Sequence, residues 1–189
     1  MAYSYDIAVL VGSLRKNGYS SFLAHALADV APDSLNHRVV SIGNLPLYNQ
    51  DLDDNPPQPW ETLRQSIRSA SAVLFITPEY NRSVPGVLKN AIDIASRPYG
   101  HSVFDAKPAA IVSHSPGPVG GFGANHALRQ SLSFLNMPTL PQPEVYLANV
   151  ASMFDDAGIL TDASARGFLT SFMTTFADWI GKHAATGSG

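Results

Sequence analysis

Three stretches of this 189-residue chain gather side chains able to hold a small charged or aromatic molecule. The first is Gly12-Ser13-Leu14-Arg15-Lys16-Asn17-Gly18-Tyr19-Ser20-Ser21, which sets hydroxyls and two cations ahead of a helical pattern. Unpaired amides at a helix start, reinforced by the helix dipole, attract an anion. Arg15 and Lys16 supply countercharge, and an arginine can grip a phosphate through two parallel hydrogen bonds. The second is Thr77-Pro78-Glu79-Tyr80-Asn81-Arg82-Ser83-Val84-Pro85-Gly86. Its prolines stiffen it, Tyr80 offers a flat surface, and Asn81 offers donors and acceptors, a combination suited to a planar heterocycle such as a flavin. The third is Ser113-His114-Ser115-Pro116-Gly117-Pro118-Val119-Gly120-Gly121-Phe122-Gly123, where repeated glycine lets backbone approach a ligand closely. Taken singly, each also fits a plainer role: a capped strand–helix turn, a proline-stiffened turn around a half-buried tyrosine, and a surface loop.

The elements around these stretches decide between the two. Ile7 to Val11, Arg38 to Ile42, Ala72 to Ile76, Ala109 to Val112 and Glu144 to Leu147 are short apolar runs that read as strands, most of them covered on both faces. Between and after them, apolar residues recur at helical spacing over Phe22 to Val30, Trp60 to Ala70, Val87 to Ser96, Asn125 to Leu135 and Phe168 to Ile180. Five strands alternating with helices predict an α/β fold: a doubly wound five-stranded parallel sheet with right-handed crossovers and helices on both faces. The flavodoxin-like order 2-1-3-4-5 suits five strands, and ligands of such sheets sit outside the carboxyl ends of the strands, where the order reverses. The three stretches follow strands one, three and four. One domain over residues 1–183 is expected, with a small, polar tail at 184–189 left outside it.

Composition removes several alternatives. Cysteine is absent, which excludes disulfides, thiolate catalysis and cysteine-held metals. The six histidines show no H-x-x-x-H or H-x-H spacing, so no metal site is expected. His114 beside Ser115 invites a hydrolase reading, but the nucleophile elbow needs glycine where Ser113 stands. Neither G-x-G-x-x-G nor the P-loop pattern fits Gly12 and Gly18, the latter because Tyr19 rather than lysine follows. A net charge of −3 provides no basic face for nucleic acid or anionic lipid. The opening residues lack a signal-peptide pattern and no apolar run reaches roughly 18 residues, so a cytoplasmic location without membrane attachment is expected.

Several of these residues together resemble the NADPH-dependent FMN reductase family, whose members reduce quinones, chromate and azo dyes. The resemblance lies in Gly12-Ser13-x-Arg15 and in Pro78-Glu79-Tyr80-Asn81-x-Ser83-x-Pro85-Gly86-x-Leu88-Lys89-Asn90-Ala91-Ile92-Asp93. Gly120-Gly121 ahead of Leu128-Arg129 completes it, and the whole spans roughly residues 7 to 147. It implies a flavodoxin-like fold, bound FMN as cofactor, NADPH or NADH as electron donor, and a homodimer or homotetramer. By position it implies that Ser13, Arg15 and Ser20 hold the phosphate. Pro78, Glu79, Tyr80 and Asn81 would line the ring, and Ser115 and Gly120 would close its other side. The chain departs from the family at Gly18, where a phosphate-binding serine is usual, so that either Ser20 or Ser21 compensates or affinity falls. It departs again at Ile94, where tryptophan is frequent.

The expected activity is transfer of electrons from NAD(P)H to a small acceptor (a quinone, free flavin, chromate or an azo compound), with donor and acceptor taking turns. No protein side chain is assigned as catalytic, since the flavin carries the chemistry and the protein positions it. Glu79 is therefore not needed as a base, and Asp93 is expected to cap or pair within its helix. The alternative is a flavodoxin-type electron carrier, but carriers are usually strongly acidic and −3 is mild. A flavin-binding sensor would need a further partner-binding segment, for which 189 residues leave little room. A charged fraction of only 14% predicts surface buried between subunits. Tyr99 and Phe104, expected in a loop on the ligand side of the sheet, would add to that buried surface.

Overall fold

The computed structural model describes residues 4–184. Its elements run β1 (Tyr5–Val11), α1 (Tyr19–Asp29), β2 (Leu35–Val40), α2 (Gln58–Arg68), β3 (Ala72–Pro78) and α3 (Gly86–Ala95). They continue with β4 (Ala109–His114), α4 (Phe122–Phe134), β5 (Val145–Leu147) and α5 (Ala163–Ala184). The strands form one sheet in the order β2-β1-β3-β4-β5, every pair parallel, as expected for the flavodoxin-like arrangement. Alternation along each strand splits the core in two. Ile7, Val9, Leu74 and Val112 face α1 and α5, packing on Leu23, Leu27, Phe172 and Phe176. Ala8, Leu10, Phe75 and Ile111 face α2, α3 and α4, packing on Trp60, Leu63, Leu88 and Leu128.

Four elements differ from the sequence reading by three residues or more at one end. β2 is shifted to Leu35–Val40, because its register pairs Leu35 with Tyr5 and Val40 with Leu10. As an edge strand it needs few apolar residues, and His37 to Val39 are half-buried or exposed. α1 and α4 start three residues early, at Tyr19 and Phe122. α5 extends from Ala163 to Ala184; Asp162 caps its start by accepting the Ala165 amide at 2.9 Å. The tail expected at 184–189 otherwise lies outside the described residues.

The loop holding Tyr99 and Phe104 corrects another expectation. It leads from α3 into β4 and so enters the sheet at its amino end, away from the ligand side. Phe104 is fully buried, 6.3 Å from Phe75 between ring centroids. Apolar area drives it inward: a phenylalanine buries well over a hundred square ångströms. Val103 N–H to Ala95 O, and the Lys107 ammonium to Ala70 O, pin the loop there. Tyr99 alone remains outside, 85% exposed.

Candidate functional site

At the carboxyl ends of β1, β3 and β4 lies a cleft of about 280 Å³, lined by Ser13, Arg15, Gly18, Tyr19, Ser20, Pro78, Glu79, Tyr80, His114, Ser115 and Pro116. The topology puts the ligand site of such a sheet there. A larger hollow of about 670 Å³ near Ala106, Pro138 and His183 opens at the amino end of β4. Its arginine, Arg129, is already occupied by Asn125, Leu140 O and Glu144, so the smaller cleft is the better candidate.

The first wall is built for an anion. Ser13 accepts the Arg15 amide at 3.3 Å, folding the loop into a tight turn. Gly18 caps α1, its carbonyl accepting from Ser21 and Phe22. Among the described residues the Tyr19 and Ser20 amides have no hydrogen-bond partner, the state in which helix N-termini bind anions. The Arg15 guanidinium is exposed and likewise without a partner among the described residues. Ser20 is buried, and its Oγ lies 2.7 Å from His114 Nε2. Burial pushes His114 down to about 4, because a charged imidazolium would lose its hydration there.

The second wall is rigid. Tyr80 and Ser83 exchange backbone hydrogen bonds at 2.9 and 3.0 Å across Asn81 and Arg82, whose φ angles are 51° and 64°. Two successive positive φ values mark the tightest hairpin turns, and asparagine tolerates the first. Asn81 therefore makes the turn that presents Tyr80 and does not itself line the cleft. Glu79 accepts from Ala124 N at 3.1 Å with one oxygen and from Arg82 at 3.1 Å with the other. Its charge thus sits at the positive end of α4 and fixes the loop to that helix.

The third wall is held by its own hydroxyls. Ser115 donates to Gly117 O and accepts from Gly120 N, at 3.0 and 3.2 Å. Gly120 and Gly121 have φ of 63° and 76°. A Cβ on Gly120 would lie 2.7 Å from the Tyr146 backbone, and one on Gly121 3.0 Å from that of His114. Gly120 accordingly shapes the loop from behind and does not line the cleft, and Ser21, one residue further round α1, does not line it either.

Seven of the ten expected site residues therefore meet at one cleft: Ser13, Arg15, Ser20, Pro78, Glu79, Tyr80 and Ser115. Gly18, Tyr19, His114 and Pro116 join them. His114 had a legible signal: it lies two residues beyond Val112 on β4, hence on the face that meets α1. Asp93, expected to pair within its helix, does so with Lys89 at 2.7 Å.

Comparison with known proteins identifies the family. The model of the family described as NADPH-dependent FMN reductase matches residues 5–152. A quinone reductase of Pseudomonas putida is 56% identical over 181 residues, covering 95% of this chain and 97% of its own. A 2-hydroxy-1,4-benzoquinone reductase of a Burkholderia species is 44% identical over 174 residues, covering 92% and 95%. Among solved structures, FerB, a flavoenzyme NAD(P)H:(acceptor) oxidoreductase from Paracoccus denitrificans, superposes with a TM-score of 0.89 at 41% identity, covering 95% of this chain and 98% of its own. The chain belongs to the NADPH-dependent FMN reductase family.

Proposed function

We propose that the protein is an FMN-dependent oxidoreductase that passes electrons from NADH or NADPH to a quinone-type acceptor, and that the cleft at the ends of β1, β3 and β4 holds the FMN. The observation that carries this reading is the donor set of the first wall: two helix amides beside a guanidinium, all without a partner among the described residues. That set fits one phosphate monoester, and a dinucleotide fingerprint is absent from the sequence. FMN supplies the redox chemistry, and the protein contributes binding, orientation and electrostatics. Arg15, Ser13 and the amides of Tyr19 and Ser20 hold the phosphate. Tyr80 and Pro78 border the ring on the turn that Asn81 forms, and Ser115 braces the loop opposite. Glu79, spent on the Ala124 amide and Arg82, keeps the ring-side loop in place.

The same reading includes a homodimer, or a homotetramer built of such dimers, in which a second subunit completes the acceptor pocket. Leu14, Tyr80, Val119 and Phe122 support it: all four are about half exposed or more, the first three on the loops around the cleft and Phe122 at the start of α4. A mass near 20 kDa by light scattering at micromolar concentration would count against it. Among the described residues no helix is long and apolar enough to cross a membrane; the cytoplasmic location expected from the sequence belongs to this proposal. The deciding experiment is an absorbance spectrum of the purified protein with NADPH added anaerobically. A flavin band that bleaches, and recovers on addition of a quinone, supports the reading. Absence of any flavin band after reconstitution with FMN would overturn it.

A further inference from the structure

His114 is buried at the floor of the cleft, 4% exposed, with no role in the mechanism above. Its Nε2 lies 2.7 Å from Ser20 Oγ, and its Nδ1 is buried with no hydrogen-bond partner among the described residues. The ring is neutral near pH 7, since burial holds it at about 4, so one nitrogen carries a proton and the other a lone pair. A proton on Nδ1 would be a buried donor with nothing to accept it, the costlier way to leave a polar group unpaired. The proton therefore belongs on Nε2, where Ser20 Oγ accepts it. A hydroxyl that accepts from the ring still has its own O–H to give, and among the described residues no acceptor meets it.

We propose that His114 is a positioning residue: its Nε2–H donates to Ser20 Oγ, and this makes the Ser20 hydroxyl a dedicated donor to the phosphate of the bound flavin. The inference rests on the FMN reading above and adds to it the group that fixes the hydroxyl's direction. It also accounts for a phosphate loop with no hydroxyl at Gly18: Ser20, set by the histidine, takes over that contact. A phosphate monoester is preferred over a ligand without one because Ser20 then finds the acceptor it lacks.

The test compares FMN with riboflavin, which differ only in the phosphate, by fluorescence titration of the flavin-free full chain. Ser20→Ala is expected to weaken FMN roughly ten- to a hundredfold, the worth of one charge-assisted hydrogen bond. His114→Leu is expected to weaken FMN about three- to tenfold by loosening that donor, with riboflavin unchanged. His114→Gln, whose amide can donate in the same place, should restore most of the loss. In the Ser20→Ala background His114→Leu should cost nothing more. Tighter FMN binding by His114→Leu would overturn the inference, since the hydroxyl would then have been donating to the ring in competition with phosphate. Equal weakening of both flavins, or additive losses in the double variant, would also overturn it by reducing His114 to a packing residue. Nitrogen-15 NMR of the wild-type imidazole gives a check that needs no variant: a protonated Nε2 supports the proposal, and a protonated Nδ1 refutes it. Wild-type protein that binds neither flavin would refute the FMN reading itself, a distinct outcome from FMN binding that ignores His114.

Discussion

Replacing Arg15 by alanine separates ligand binding from folding more cleanly than any other change at the cleft. The guanidinium is exposed and makes no hydrogen bond or ion pair with any described residue. Its removal should therefore change stability by no more than about 0.5 kcal/mol, as for surface sites generally. The cost falls on the ligand. A hydrogen bond from a charged donor is worth about 1.5–3 kcal/mol, and each 1.4 kcal/mol is about a factor of ten in affinity. Arg15→Ala should thus raise the FMN dissociation constant roughly ten- to a hundredfold, with riboflavin little affected. Because the pair is exposed, salt should weaken the wild type more than the variant as the screening length falls from about 10 Å at 0.1 M toward about 3 Å at 1 M. Fluorescence titrations at two ionic strengths, with a melting curve for each protein, measure all of this. FMN binding that stays tight in Arg15→Ala would refute the placement of the phosphate, and a parallel loss for riboflavin would refute the claim that the contact is to phosphate.

Four further outcomes are expected. Gly121→Ala forces a Cβ to 3.0 Å from the His114 backbone at φ 76°, so about 1–3 kcal/mol of stability should be lost in denaturant titration. Phe104→Ala should cost about 3–5 kcal/mol, while Tyr99→Ala stays within about 0.5 kcal/mol; similar values would contradict the burial of Phe104. His114, at about 4 when folded and near 6.5 when unfolded, binds fewer protons in the native state between those values. Its neutral burial is therefore without penalty above pH 6.5, and stability falls as pH drops through that window, by roughly 3 kcal/mol at the low end; unfolding free energies of wild type and His114→Leu between pH 4 and 7 should diverge accordingly. Steady-state kinetics with a quinone should give parallel double-reciprocal lines, because one face serves donor and acceptor in turn; intersecting lines would mean that both bind together.

Strand identity and order were legible because strands covered on both faces must be apolar throughout, as Ala72 to Ile76 is. Helix starts were less so, since a helix begins where amides and caps permit rather than where apolar spacing begins. Tyr19 and Phe122 open helices that apolar spacing places three residues later. Asp162 ahead of Ala163 was a readable cap that the apolar pattern hid. At the cleft, residue type and loop position led to Ser13, Arg15 and Tyr80, which the fold brings to one hollow. They gave no sign that Asn81 and Gly120 act through backbone conformation away from the cleft lining, and they passed over His114, whose place on β4 was readable by alternation but whose partner Ser20 stands 94 residues away in sequence.

The two-layered core has a consequence for how the molecule comes apart. The anion wall opens α1, which packs with α5 on one face of the sheet, while the ring-side loop is tied through Glu79 to α4 on the other. A single occupant of the cleft is thus a rivet through both layers. Any occupant that binds only the native chain adds about 2.7 kcal/mol at a hundredfold excess over its dissociation constant. Here that increment is shared by both halves, so neither layer can open alone without releasing what holds the other shut.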